Sequence, residues 1–319
     1  MSPRLRVYAI VGACAAAAAG LTVGITLATR TAPPKPQRQS GRPPLVLDLG
    51  VREDPQAVEL RRATDLYDGG NVRAAGLIFE RYDSVEAEIG AAFSAWPDGF
   101  GEVSTLARTF PRSSLVQLHY GLALYWRGDR DAAAEAWRAA RRAQPDTPYS
   151  LRAEDLLYPN FPRGLPDFVP SFASPGTLNR LSPPMQLSFL EAQARDGGVR
   201  EKLLYGVALQ RLDRQLSALR EFEAAAEVAP KDPEPQVAVA VARFDKADPS
   251  RTFSQLGPLA RRYPRSQSVR FHLGLCLLWL GNVKEAKRQL GLARTLDTGT
   301  QLGQEAEKFL ERLAKVGSG

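Results

Sequence analysis

The spacing of proline constrains this chain more than any other feature. Pro111 and Pro145 lie 34 positions apart, Pro230 and Pro264 lie 34 apart, and Thr298 stands one further step of 34 along. Small and large residues recur in the same register. Residues 114–147 hold Gly121, Ala133 and Ala140 at the small positions and Trp137 at the large one. Residues 199–232 hold Gly206, Ala218, Ala225 and Phe222; residues 267–300 hold Gly274, Ala286, Ala293 and Leu290. A fixed period of this length marks stacked units, none of which can bury its apolar face alone. Small side chains let two backbones approach closely, and the large one fills the space between neighbouring hairpins. Weaker units fill the gaps. Residues 56–82 keep Gly70-Asn71, Ala75 and Phe79, while 84–110 and 233–263 read as hairpins ending at Pro111 and Pro264.

A longer repeat overlies the short one. FPRSSLVQLHYGLALYWRGD (110–129) aligns with YPRSQSVRFHLGLCLLWLGN (263–282) at a constant offset of 153. The identities include His119/His272, Gly121/Gly274 and Trp126/Trp279. The array therefore reads as a duplicated three-hairpin block, 53–157 and 184–319, each closed by a trailing helix that caps an apolar end. Between them, 158–183 carries Pro159, Pro162, Pro166, Pro170 and Pro175, a density that forbids a helix. Its interleaved Tyr158, Phe161, Phe168 and Phe172 predict a strap packed on the array; the alternative is a loose linker with sticky aromatics.

This register resembles the tetratricopeptide-repeat (TPR) family. The resemblance implies an all-α, right-handed solenoid of about six hairpins that binds a protein or peptide and performs no catalysis. In that family the first helix of each hairpin lines an inner groove. The matching positions here are Leu115, Leu118, Leu122, Tyr125 and Trp126 in block one. In block two they are Phe271, Leu275, Leu278 and Trp279, with Val237, Val241 and Phe244 from the hairpin before. Family members that grip a terminal carboxylate place Lys, Arg and Asn there. These residues are mostly apolar, which suits an amphipathic helix or an extended apolar peptide. Alternatively, the strap fills a groove in cis, or tight curvature buries it. Trp126 and Trp279 read either as packing residues or as groove anchors, and the His119/His272 match implies a shared structural role.

The net charge of +7 is unevenly spread. Residues 1–50 hold six cations against Asp48 alone. Residues 54–107 hold 10 acidic against 4 basic side chains. Residues 251–294 hold nine cations, among them Arg261, Arg262, Arg265, Arg270, Lys284, Lys287 and Arg288, against Glu285. Such a patch either meets an acidic partner or is a solvated helix surface. Nucleic acid is the weaker expectation, because aromatic interleaving is sparse.

Val7–Thr29 is an uncharged apolar run of 23 residues, long enough to cross a bilayer as a helix. It predicts an N-terminal anchor over residues 1–29, with a signal cleaved after Ala28 as the alternative. Flanking cations on both sides leave the orientation open, with the bulk expected outside the cytoplasm. Gly20 and Gly24 form a GxxxG through which two anchors could pair. Residues 30–52, rich in Pro and Arg, read as an extended, solvated spacer.

Two cysteines and two histidines leave little for metal or nucleophilic chemistry. No phosphate loop, dinucleotide fingerprint, HExxH or GxSxG occurs. No catalytic, metal or cofactor residue is expected. The function expected is a membrane-tethered scaffold for a protein partner in an envelope assembly. The alternative is a chaperone-like holder of unfolded or apo-proteins, similar to the TPR subunits of cytochrome c maturation.

Overall fold

The structure, a computed structural model, describes residues 40–317. The expected anchor, its Gly20/Gly24 pair and the start of the spacer lie outside those residues. Among the described residues no helix is long and apolar enough to cross a membrane. They contain fifteen α-helices and no strand. They divide between Leu157 and Tyr158 into two compact units, described in turn.

The first unit holds α1 (Pro55–Asp68), α2 (Val72–Phe79), α3 (Val85–Ser94), α4 (Phe100–Thr109), α5 (Ser114–Trp126), α6 (Arg130–Ala143) and α7 (Pro148–Leu157). Each helix packs on the next, giving three hairpins and a trailing helix. The second unit opens with a 3-10 turn (Gly176–Arg180) and α8 (Pro183–Asp196). Three hairpins follow: α9 (Val199–Arg211) with α10 (Gln215–Val228), α11 (Pro233–Ala242) with α12 (Ser250–Arg262), and α13 (Gln267–Trp279) with α14 (Val283–Leu296). The trailing helix is α15 (Gln301–Gly317).

The repeat register is visible in the turns. The fifteenth position of four units takes a left-handed backbone: Gly70 (φ 89°), Gly128 (φ 92°), Gly281 (φ 72°) and Asp213 (φ 54°). Glycine costs nothing there, and Asp is among the few other residues that tolerate it. The next helix is then capped by a side chain one residue on: Asn71, Asp129 and Asn282 each accept from a backbone N–H of the first turn. Duplicated Ser113 and Ser266 cap α5 and α13 in the same way.

Close packing explains the small residues. A Cβ built on Gly121 would meet Trp137 at 2.4 Å, one on Gly206 would meet Phe222 at 2.3 Å, and one on Gly274 would meet Leu290 at 2.8 Å. The large residue of the second helix thus lies over the glycine of the first. Ala63, Ala133, Ala218 and Ala286 are fully buried at the other close approaches.

Gly121→Ala and Gly206→Ala should therefore each cost about 1–3 kcal/mol by overpacking. Gly291 on α14 meets nothing within 4 Å, so Gly291→Ala should be neutral or slightly stabilising. Urea unfolding followed by circular dichroism measures all three.

Candidate functional site

The expected groove residues are present on the expected helices, but they do not face open solvent. Leu118, Leu122, Phe271, Leu278 and Trp279 are each at most 1% exposed, and Leu275 is buried. Tyr125 and Trp126 are half-buried. In both units the covering segment is an extended stretch of the chain itself.

In the second unit the cover is the proline-rich strap, as one reading of the sequence expected. Pro166, Phe168 and Pro170 are buried, and the residues between them are partly buried. Phe161, Leu165 and Val169 pack against the cluster that contains Phe271, Leu275, Leu278 and Trp279. Phe161 meets Phe244 edge-on, and Phe244 in turn meets Trp279.

In the first unit the cover was not foreseen. Part of the segment expected to be a solvated spacer is a strap too. Pro43, Leu45 and Leu49 are buried, and Leu45 and Leu49 share a core with Leu118 and Leu122. Apolar residues at a period of two outweigh the Arg- and Pro-rich flank. That alternation was the available signal.

A strap outside any sheet must find partners for its main chain among side chains. The first strap finds several. Tyr67 Oη donates to Pro43 O at 2.5 Å, Tyr149 Oη donates to Asp48 O at 2.8 Å, and Val46 N–H donates to Nε2 of His119 at 3.1 Å. The second strap is held in the same manner. Lys246 Nζ donates to Pro162 O at 2.9 Å, Phe168 N–H donates to Gln210 Oε1 at 3.2 Å, and Val169 N–H donates to Nε2 of His272 at 2.9 Å. Ser171 donates both its N–H and its hydroxyl to the Glu234 carboxylate.

The two histidines thus do the same thing in the two units. Each is fully buried on the first helix of the third hairpin. Each Nδ1 lies 2.7 Å from the carbonyl one helical turn back, Leu115 O or Ser268 O. That carbonyl accepts a hydrogen bond from Nδ1–H, which leaves Nε2 as an acceptor aimed at the strap. Burial pushes both imidazoles down to about 4, so both are neutral at pH 7. Aromatic rings wall them in: Phe93 meets His119 edge-on, while Phe168 stacks on His272 with centroids 5.0 Å apart.

The basic cluster is partly reassigned. Arg261, Arg262, Arg265, Lys284, Lys287 and Arg288 are exposed. Arg270 is not available as expected. Its guanidinium donates to Pro264 O, Ala260 O and Gln289 Oε1, and so pins α13 to its neighbours. Arg288 pairs with Glu285, whose carboxyl it holds down near 2. Lys284, Lys287 and Arg288 share one face of α14 by their spacing. A shallow cavity of about 420 Å³ is lined by Ala226, Val239, Pro258, Leu259 and Arg262 among others. Among the described residues no cluster of His, Cys, Asp or Glu could hold a metal, and Cys276 is buried with its thiol pushed up to about 12.

No known family's sequence profile matches the chain, and no curated protein does. Solved structures of TPR proteins are similar to it. YrrB, described as a TPR protein with an unusual peptide-binding site, aligns over 65% of this chain and 97% of its own at 13% identity, with a TM-score of 0.31. Yeast Tom70 aligns over 86% of this chain and 52% of its own at 13% identity and a TM-score of 0.33. The P58(IPK) TPR domain aligns over 83% and 81% at 13% identity and 0.28. Likenesses this weak say nothing of ligand or role. The repeat assignment rests on the chain's own register and hairpin packing.

The buried imidazoles set a pH dependence. Both folded-state values lie below the ordinary 6.5, so the unfolded chain binds more protons. The stability they support is complete above 6.5 and is lost as pH falls towards 4. Asp167, pushed up to about 6 by desolvation, acts in the opposite sense. His119→Gln and His272→Gln keep an acceptor and remove the titration. Each should flatten the loss of urea midpoint between about pH 7.5 and about pH 5 relative to the unaltered chain.

Proposed function

We propose that this protein is a membrane-tethered, non-catalytic scaffold that binds a protein partner through the exposed cations of its second unit. The observation that carries this reading is a set of exposed cations outside any salt bridge. Among the described residues, Arg261, Arg265, Lys284 and Lys287 are exposed and form no salt bridge. They lie on α12, the following turn and α14, beside helices whose apolar faces are already spent on packing. Cations held on rigid helices favour an acidic partner through steering and complementarity, and an apolar cavity next to Arg262 offers an anchor point. The 23-residue run Val7–Thr29 supports the tether, with the array outside the cytoplasm and the partner part of an envelope assembly.

The second reading, a chaperone-like holder of unfolded or apo-protein segments, draws support from the straps. Both units already lay an extended apolar segment on their inner helices.

The test is crosslinking and pull-down with the full chain, compared with Arg261→Glu/Arg265→Glu and with Lys284→Glu/Lys287→Glu. The scaffold reading expects one principal partner, lost with either pair of substitutions and weakened by salt. Recovery of the same partner with all four substitutions in place would remove the cations from the interaction. Recovery of many unrelated unfolded chains, insensitive to salt, would favour the holder.

A further inference from the structure

We infer that each unit is a receptor for an extended apolar segment, loaded in cis with its own strap, and that His119 and His272 read the main-chain amide of whatever occupies it. This rests on the reading of the protein as a binder of other proteins, and it names what regulates its inner surface. The occupant that competes is a partner segment with the strap's chemistry. It is extended, apolar at alternate positions, and free of proline opposite the imidazole.

The two straps define that chemistry independently. Pro43-Pro44-Leu45-Val46-Leu47 and Pro166-Asp167-Phe168-Val169-Pro170 align at their first, third and fourth positions. The first and third positions are buried in both. The fourth, valine in both, donates its N–H to Nε2 of the duplicated histidine at 3.1 and 2.9 Å. Proline stands three residues before this position in both straps and directly after it in the second, but never occupies it, since proline has no N–H to give. Other main-chain bonds come from chemically different side chains, Tyr67 and Tyr149 in one unit and Lys246, Gln210 and Glu234 in the other. The imidazole contact is therefore the shared element of recognition.

Nothing covalent holds a strap in place, and no ladder of backbone bonds ties it to a neighbour. Its hold is a few buried side chains and a few side-chain hydrogen bonds, the kind of contact set that opens locally without unfolding the helices beneath. A strap that leaves exposes an apolar surface carrying the imidazole acceptor in both units, with Gln210 Oε1 as a further one in the second. A competing segment that brings an amide satisfies the imidazole acceptor, and one with proline there leaves it orphaned.

The test uses the full chain and a fluorescein-labelled peptide of residues 42–50 as probe, followed by anisotropy. Leu45→Ser/Leu49→Ser loosens the first strap in cis. The loosened chain should bind the probe at least about tenfold more tightly than the unaltered chain does. Adding His119→Phe should abolish the gain, and a probe with proline in place of Val46 should bind at least about tenfold more weakly. A folded variant, judged by circular dichroism, that binds no probe overturns the inference, as does binding indifferent to His119→Phe. Hydrogen exchange on the unaltered chain provides an arm free of any folding defect. The Val46 and Val169 amides should exchange faster than those in the middle of α5 and α13. If they exchange only as slowly as those helices, the straps are fixed parts of the core and the inference fails. An acidic partner lost with the four cation substitutions would still stand in that case, so the scaffold reading and this one fail separately.

Discussion

An extended segment laid on an apolar surface brings main-chain N–H and C=O groups that helices cannot satisfy, because a helix spends its own backbone bonds internally. Much of what is polar inside this molecule answers that demand. His119, Tyr149 and Tyr67 serve the first strap; His272, Gln210, Lys246 and Glu234 serve the second. Neutral imidazole suits the role because it donates at one end and accepts at the other. Tying Nδ1 to the carbonyl one turn back fixes the tautomer and turns Nε2 into a directed acceptor. Buried cationic or carboxylate groups would do the same work at a larger desolvation cost. Lys246 and Glu234 show that cost being met near the strap ends, with burial raising the Glu234 carboxyl.

The helical array was legible because its constraint is steric and repeats. A glycine beneath Trp137, Phe222 or Leu290 leaves the same trace at the same position of three units, and a left-handed turn does so at the fifteenth position of four. The second strap was legible for a related reason: proline denies it a helix, and its aromatic rings have to be buried somewhere. The first strap was hidden by its context. Arg38, Arg42 and a run of prolines read as solvated spacer, and only Leu45, Leu47 and Leu49 betray an extended face. The groove residues lie on the expected helices with their exposure left open, because a repeat register says which side of a helix faces inward and nothing of what lies over it. Arg270 was counted as a free cation for the same reason. The carbonyls of Ala260 and Pro264 that engage it are brought close by the turn between α12 and α13, which charge counting does not see.

The duplication separates what geometry requires from what it permits. The offset of 153 holds from the cap serines through the histidines to the left-handed glycines, all of them positions where the backbone dictates the residue. The straps repeat as well, with Pro43/Pro166 and Val46/Val169 at an offset of 123. Two insertions make up the difference between the offsets: the 3-10 turn and α8, present only in the second unit, and a longer stretch between its first and third hairpins. The repeating object is therefore a strap followed by three hairpins and a trailing helix.

Outside that object the two units part company. Helices α1 to α4 carry the acidic excess of 54–107, and α12 to α14 carry the basic excess of 251–294. Packing and strap recognition are shared by both units and so cannot distinguish partners between them; surface charge can. If both units read the same kind of extended segment, as inferred above, their outer charge is what differs between them. Selectivity would then come from steering and from rim contacts, while the imidazole and the apolar pockets supply the common grip.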